Sequence, residues 1–341
     1  MKAVQLLGSA KDGGAETYFV ALVEALQAGG VPQACALRPH PGRARRLQAL
    51  GIPVLEAGFG GPLDLLTSGR VRRFARREEA GVLIAWMNRA AQHAPAGPWG
   101  RIGRLGGYYG LKYYRGFDHL VANTRDIERW IVRRGWPASK VSYIPNFAAA
   151  GTGEPLDRAA FDTPADAPLL LAMGRLHASK AHDVSIRALA ELPGAFLWIA
   201  GSGPLEAELK GLTAQMGVAD RVRFLGWRED APSLYRTADA CLFPSRFEPL
   251  GNVVIQAWAH GLPVVAAMSD GPAALIRPEQ DGILVPINDA RSLALAARRL
   301  ILDPGLRRRL AEAGAARVQE EFSADRVVAQ WRELLEPYGV G

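Results

Sequence analysis

The chain repeats one pattern twice. Short apolar runs alternate with helical stretches, and a turn-rich segment separates the two series. In the first half the runs are Ala3–Leu7, Gln33–Leu37, Val54–Glu56, Val82–Trp86, His119–Ala122 and Val141–Ile144. Helical stretches between them include Glu16–Ala28, Leu63–Arg77 and Ile127–Arg134. In the second half the runs are Leu169–Met173, Phe196–Ala200, Val222–Leu225, Ala240–Phe243, Pro263–Ala266 and Ile283–Val285. The helices there span Val184–Leu192, Leu205–Met216, Val253–His260, Leu293–Leu302 and Leu306–Glu321. Strands without a polar side need cover on both faces, which helices packed over a parallel sheet provide. The predicted fold class is therefore α/β, with two doubly wound parallel-sheet domains over residues 1–150 and 167–322. The Ala-, Gly-, Pro- and Thr-rich stretch 148–167 reads as their linker. A last helix within 323–337 carries Trp331, Leu334 and Leu335 on one side and is expected to return to the first domain. Two such sheets create a cleft, with ligands at the carboxyl ends of the strands.

Composition narrows the class. Hydrophobic residues make up 49% of the 341, enough for two ordinary cores. No apolar run approaches the roughly 20 residues that span a bilayer. Lys2 followed by a strand and a glycine loop does not resemble a secretion signal, so a cytoplasmic protein is expected. Cys35 and Cys241 lie far apart in apolar surroundings and read as buried free thiols. Residues 1–150 hold 21 Lys and Arg against 10 Asp and Glu, whereas the remainder holds 20 against 24. The basic half clusters its charge at Arg43, Arg45 and Arg46, at Arg70, Arg72, Arg73, Arg76 and Arg77, and at Arg125, Arg129, Arg133 and Arg134. Such clusters suit anionic lipid headgroups or a phosphorylated glycolipid, placing the protein peripherally at the inner face of the plasma membrane. No zinc-finger spacing or RNA-binding motif accompanies them, so nucleic acid is not an expected partner.

Four loops carry candidate chemistry. Phe247-Glu-Pro-Leu-Gly-Asn-Val-Val-Ile-Gln256 sets a carboxylate, a turn and a helix start in succession. A helix start favours an anion, and Glu248 can accept hydrogen bonds from sugar hydroxyls, a pairing that suits a nucleotide-sugar. Lys11-Asp-Gly-Gly-Ala-Glu16 follows the first strand, and Gly13 and Gly14 allow backbone amides to approach a phosphate. Met173-Gly-Arg-Leu-His-Ala-Ser-Lys180 follows the first strand of the second series, so Arg175 and Lys180 can reach one anion. Ala200-Gly-Ser-Gly-Pro204 again opens a helix, with Gly201 and Gly203 permitting close backbone approach.

Taken together and in this order, the four loops resemble family-4 retaining glycosyltransferases of GT-B fold, in which two Rossmann-like domains face across a cleft. Gly13-Gly14-Ala15-Glu16, Gly174-Arg175-Leu176 with Lys180, Gly201-Ser202-Gly203-Pro204 and Glu248-Pro249-Leu250-Gly251 carry the likeness. The chain departs from the family at Gln256, where a second glutamate usually holds ribose hydroxyls, and at Ala181, where glycine usually follows the lysine. Trp86-Met-Asn-Arg-Ala90, Arg104-Leu-Gly-Gly-Tyr-Tyr109, Lys112-Tyr-Tyr, Asp118-His and Ala122-Asn-Thr124 look like bacterial members acting on lipopolysaccharide core or related cell-surface glycans.

The resemblance implies transfer of a hexosyl group from a nucleoside diphosphate to an acceptor hydroxyl, with retention. Arg175, Lys180 and Glu248 would be catalytic. The donor would meet Gly13, Gly14, Gly203, Leu225, Trp227, Leu250, Gly251, Asn252 and Gln256, with a UDP-sugar the first expectation. Glu16, Asn88, Arg89, Arg104 and Tyr108 would lie on the acceptor side, while His93 reads as a satisfied loop histidine. No Asp-x-Asp pair occurs in the chain, so neither a metal nor another cofactor is expected, and cations would take the diphosphate charge. Two rival readings stay open. A nucleotide-sugar 2-epimerase would use the same scaffold, but the six histidines do not group for it. A non-catalytic nucleotide-sugar-binding subunit would count Gln256 as a sign of decay.

Overall fold

The computed structural model describes residues 1–11, 13–61, 64–148 and 151–340. Asp12 in the first glycine loop, Leu63 at the expected start of the helix ending at Arg77, and Ala149 and Ala150 at the expected domain boundary lie outside the described residues. The chain divides into two compact units, Met1–Asn146 with Ala324–Gly341, and Phe147–Ser323.

Unit 1 has strands β1 (Lys2–Leu7), β2 (Gln33–Leu37), β3 (Val54–Glu56), β4 (Ala80–Trp86), β5 (Gly100–Leu105), β6 (His119–Ala122) and β7 (Val141–Tyr143). They pair in parallel in the order β3-β2-β1-β4-β5-β6-β7. Helices α1 (Gly14–Ala28), α2 (Pro41–Ala49), α3 (Leu65–Arg77), α4 (Met87–Gln92) and α5 (Arg125–Arg133) connect them. Strand β4 is buried along its whole length, as a central strand covered on both faces must be.

Strand β5, absent from the sequence reading, is spelled Gly-Arg-Ile-Gly-Arg-Leu, a composition that argues against a strand. Its glycines are filled from elsewhere. A Cβ at Gly100 would overlap the Tyr338 ring, and one at Gly103 would overlap the Tyr114 ring. Tyr114 is accordingly fully buried, so this member of the Tyr113–Tyr114 pair is core.

Unit 2 has strands β8 (Leu169–Met173), β9 (Phe196–Ala200), β10 (Val222–Gly226), β11 (Ala240–Phe243), β12 (Val264–Ala267) and β13 (Ile283–Val285). Their parallel order is β10-β9-β8-β11-β12-β13. Helices α6 (His182–Ala190), α7 (Glu206–Gln215), α8 (Ala231–Thr237), α9 (Asn252–Ala259), α10 (Asp270–Leu275), α11 (Ala290–Leu302) and α12 (Pro304–Glu321) cover both faces. Trp198 and Trp258 are fully buried in its core, and Trp258 donates Nε1–H to the Asp281 carbonyl at 2.8 Å. Helix α13 (Ala324–Leu335) belongs to unit 1, where Val327, Trp331 and Leu335 are buried and Val328 packs at Gly29 beyond the end of α1.

Each sheet has one point where successive crossovers change direction, between β1 and β4 in unit 1 and between β8 and β11 in unit 2. The loops leaving those strands diverge and open a crevice at the carboxyl edge, where doubly wound sheets take their ligands. Among the described residues no helix is long and apolar enough to cross a membrane. Cys35 and Cys241 are buried free thiols, and burial pushes the Cys241 thiol up to about 12.

Candidate active site

At the switch point of unit 2, one loop leaves β8 with Arg175 and Lys180, and another leaves β11 with Glu248. They meet through a direct ion pair from Lys180 Nζ to one oxygen of Glu248. The pair is only partly solvated, with side-chain exposures of 24% and 13%. The Lys180 stem lies along Gly174, since a Cβ there would sit 3.5 Å from Lys180 Cγ and Cδ. Arg175 follows directly. Its guanidinium is exposed and makes no ion pair or hydrogen bond among the described residues.

The second oxygen of Glu248 accepts from the Gly251 amide at 3.1 Å and the Leu250 amide at 3.4 Å. Gly251 stands at φ +88°, a left-handed turn that glycine adopts without steric cost, and caps α9. The protein's own carboxylate thus takes the Leu250 and Gly251 amides just ahead of α9. Asn252 is the first residue of the helix and is half-buried.

The loop leaving β8 is shaped by backbone packing. Gly201 has φ +150°, and a Cβ there would overlap the Gly174 carbonyl oxygen. A Cβ at Gly203 would overlap the Leu176 backbone, whose amide donates to the Ser202 carbonyl at 3.0 Å. Both glycines therefore support the Arg175 loop through the close backbone approach expected of them. Ala181 is buried at φ +54°, the left-handed region, which accounts for glycine being usual there. Next to it, His182 Nε2 lies 3.2 Å from the Gly174 carbonyl oxygen, and burial drives its pKa down to about 4.

Three groups that the sequence reading passed over hold this arrangement. Arg246 donates to both Asp183 oxygens at 2.9 and 2.6 Å and to the Ala178 carbonyl at 2.8 Å. Its amide donates to the Ser179 carbonyl at 2.8 Å. The arginine two residues before Glu248 thus binds the two residues before Lys180. Burial pushes the Asp183 carboxyl up, but the Arg246 hydrogen bonds and charge outweigh it and hold the pKa below its ordinary value. Gly271 donates its amide to the Glu248 carbonyl at 2.7 Å, so close that no Cβ fits between the two backbones. The only visible signals were Ser245-Arg246 ahead of the motif, Asp183 three residues after Lys180, and the Ser-Asp-Gly-Pro turn at 269–272.

The other donor-side candidates are more scattered. Leu225 lies at the end of edge strand β10, and Trp227 just beyond it is 63% exposed. Gln256 is exposed on α9, and its carbonyl oxygen accepts from the Tyr235 hydroxyl at 3.1 Å. That oxygen thus already has one donor.

In unit 1 the switch point joins the loop after β1 to the start of α4. A Cβ at Gly8 would lie 2.9 Å from Arg89 Cγ. Gly13 caps α1 and Gly14 begins it, but the Glu16 carboxylate folds back over Gly13, with Oε2 2.9 Å from where a Cβ would stand. An anion at this helix start would meet a carboxylate, contrary to the expected phosphate cradle. Asn88 is half-buried and Arg89 exposed. Arg104 is 2% exposed, sits over the Tyr18 and Trp86 rings, and donates to Asn146 Oδ1 at 2.7 Å. Burial lowers its pKa. The Tyr108 hydroxyl donates to Asp126 at 2.5 Å, and its ring meets Trp130 edge-on. Arg104 and Tyr108 therefore brace loops from within. His93 is buried, with Nε2 3.2 Å from the Gly60 carbonyl oxygen, a satisfied loop histidine.

Two doubly wound units with this loop set define the GT-B class of glycosyltransferase, and comparison with known proteins agrees. The crystal structure of HepE from Anabaena, in complex with UDP, superposes with a TM-score of 0.86 over 99% of this chain and 100% of that one, at 21% identity. Residues 154–317 match the family described as glycosyl transferases group 1. Two lipopolysaccharide core biosynthesis glycosyltransferases of Rhizobium meliloti are similar over 330 residues. LpsE is 39% identical, covering 95% of this chain and 96% of its own length, and LpsD is 36% identical with 95% coverage of both. The chain belongs to the group 1 glycosyltransferases and is an enzyme of that class.

Proposed function

We propose that the protein transfers a hexosyl group from a nucleoside-diphosphate sugar, UDP-linked in the first instance, to a hydroxyl of a lipopolysaccharide-core acceptor. The observation that carries this reading is the pairing of Lys180 with Glu248 across the β8/β11 switch point, with the Arg175 guanidinium, unpaired among the described residues, beside it. The acceptor class is supported by the names of the two relatives, and the donor class by the UDP bound in HepE.

In the proposed step the bond from the anomeric carbon to the diphosphate oxygen breaks, and a bond to the acceptor oxygen forms on the same face. The acceptor proton passes to the departing phosphate, so anomeric configuration is retained without a protein nucleophile. Negative charge grows on the β-phosphate, and Arg175 and Lys180 are the cations that meet it; donors aimed at developing charge are usually the largest catalytic term. They would do so without a divalent ion. As the diphosphate engages Lys180, Glu248 is released to accept hydrogen bonds from sugar hydroxyls and orient the ring. In unit 1, Glu16, Asn88 and Arg89 would contact the acceptor, with Arg104 and Tyr108 positioning the loops behind them.

The test is a transfer assay with purified protein, a panel of nucleotide-sugars and truncated lipopolysaccharide core, run in chelator, with the product anomer read by NMR. Metal-independent, retained product from a UDP-sugar supports the reading. Inverted product refutes the mechanism, and consumption of the nucleotide-sugar without any acceptor points to an epimerase.

A further inference from the structure

We infer that unit 1 carries a second glycan subsite, a pocket on its α5 flank that takes one sugar residue of the acceptor bearing a phosphate or a carboxylate. Tyr109, Gly110, Leu111, Trp130 and Arg134 line a pocket of about 260 Å³. Two segments form it. One is the loop after β5, which runs through Gly106 and Gly107 into a single helical turn at Leu111–Tyr114. The other is α5, where Trp130 in the last turn and Arg134 at the C-cap stand four residues apart and are neighbours on one face.

The lining suits a sugar that carries a negative charge. Tyr109, Leu111 and Trp130 are half-buried; each packs against the core of unit 1 and leaves part of its surface to the pocket. A pyranose has a face of C–H groups and a rim of hydroxyls, and an aromatic ring covers the first while leaving the second free. Trp130 is held for that role: the Tyr108 ring meets it at 76° with centroids 5.6 Å apart, and the Tyr108 hydroxyl is fixed on Asp126. The volume lies below the roughly 300–1,000 Å³ of a pocket for a drug-sized ligand, so it fits one sugar residue and not a chain. Arg134 sets the charge. Earlier on α5, Arg125 pairs with Glu128 at 3.3 Å and Arg129 with Asp126 at 3.5 Å. The exposed Arg134 guanidinium makes no ion pair or hydrogen bond among the described residues, and no acidic side chain lines the pocket. It lies 5.5 Å from the Trp130 ring centroid, so the cation is held beside the aromatic surface. A guanidinium placed there grips two oxygens of a phosphate or carboxylate while the ring covers the sugar.

Tyr109 joins this pocket to the loops assigned to the acceptor. Its ring folds back along Gly106 and Gly107, with the hydroxyl 3.9 and 3.7 Å from where their Cβ atoms would stand. The same point at Gly106 is 3.4 Å from Asn123 Nδ2, and Asn123 Oδ1 is buried without a partner among the described residues. Burial, reinforced by the Glu16 charge, pushes the Tyr109 hydroxyl above its ordinary pKa. One side chain therefore borders both Glu16 and the pocket, and a glycan that reacts near Glu16 extends along Tyr109 to Trp130. The inference rests on the proposed function for the identity of the glycan as acceptor; the pocket and its charge stand on the loop after β5 and on α5.

The experiment titrates the full chain with glucose 6-phosphate, glucose and inorganic phosphate, followed by ligand-observed NMR, with UDP present throughout to occupy the cations of unit 2. Glucose 6-phosphate should bind, and glucose and inorganic phosphate each about tenfold more weakly. Arg134→Gln should abolish the preference for the phosphorylated sugar over glucose, and Trp130→Ala should weaken both sugars about tenfold. Arg134 is exposed, so its variant keeps the fold even where loss of Trp130 lowers the unfolding temperature. Unchanged binding in Arg134→Gln would overturn the inference. So would inorganic phosphate binding as tightly as glucose 6-phosphate, since a bare anion site would then explain the result. In transfer assays with phosphorylated core oligosaccharide, Arg134→Gln should raise the acceptor KM about tenfold with kcat and UDP affinity held. An intact chain that binds glucose 6-phosphate through Arg134 but transfers nothing would refute the transfer reading and uphold the subsite, so the two failures are distinguishable.

Discussion

The two switch points are built alike and finished differently. In unit 2 the loops carrying Lys180 and Glu248 are bound to each other by that ion pair and by Arg246 on Asp183, Ala178 and Ser179, and the Gly271 amide, from the turn after β12, holds the Glu248 carbonyl. Both sites leave buried polar atoms without a partner among the described residues, Asn88 Oδ1, Arg104 Nε and Asn123 Oδ1 in unit 1 and His182 Nδ1, Ser245 Oγ and Ser269 Oγ in unit 2. A buried polar atom left unsatisfied costs about 1–3 kcal/mol. What distinguishes the two is the charged clamp between loops: in unit 2 Lys180 pairs with Glu248 and Arg246 with Asp183, whereas in unit 1 the buried Arg104 lies over the Tyr18 and Trp86 rings and donates to the neutral Asn146.

The strongest way to break this contrast is to remove the cations. Lys180→Ala or Arg175→Ala should each lower kcat roughly 10²–10³-fold with little change in unfolding temperature. Near-normal transfer in both would end the assignment. Glu248→Gln should separate binding from chemistry. Without its anionic partner Lys180 is free for the diphosphate, so nucleotide affinity should hold or rise while transfer falls about a hundredfold. A variant with weaker nucleotide binding and normal kcat would show the opposite arrangement.

Arg246 tests whether organisation itself matters. Arg246→Lys keeps the charge but not the two-pronged grip on Asp183. Transfer should fall about tenfold, mainly in kcat. Asp183→Asn combined with it should cost less than the two separate losses added, because both break one clamp. Full additivity would place the two residues in different networks.

The smallest effect is on stability. Native His182 stays neutral down to about 4, whereas in the unfolded chain it titrates near its ordinary value of 6.5. Between those values the unfolded state binds the extra proton, so stability is present above the upper value and lost as pH falls below it. The loss at pH 5 should be on the order of 2 kcal/mol and should disappear in His182→Gln. An identical pH profile in that variant would assign the acid sensitivity elsewhere.

Much of the scaffold was legible because it is local. The apolar runs at 169–173, 196–200 and 240–243 are strands as they stand. Strand β5 was hidden because its side-chain volume comes from Tyr114 and Tyr338. Helix α2 was hidden because its first turn is Pro41-Gly42 and its face is arginine-rich. The loops bearing Lys180 and Glu248 were legible by motif, but their meeting depends on β8 and β11 being neighbours, which no local signal carries. Arg246 was missed for the same reason, since Asp183 lies 63 residues away. Arg43 looked like surface charge because nothing in its own helix shows that two carbonyls from the loop after β1 receive it.

The central claim is that the loops after β8 and β11 hold the donor diphosphate with side-chain cations. Titration calorimetry of UDP in excess chelator, on the intact chain and on Arg175→Ala and Lys180→Ala, tests it most directly. The account predicts binding that survives chelation and weakens at least tenfold in each variant. Binding abolished by the chelator, or unchanged in both variants, would contradict it.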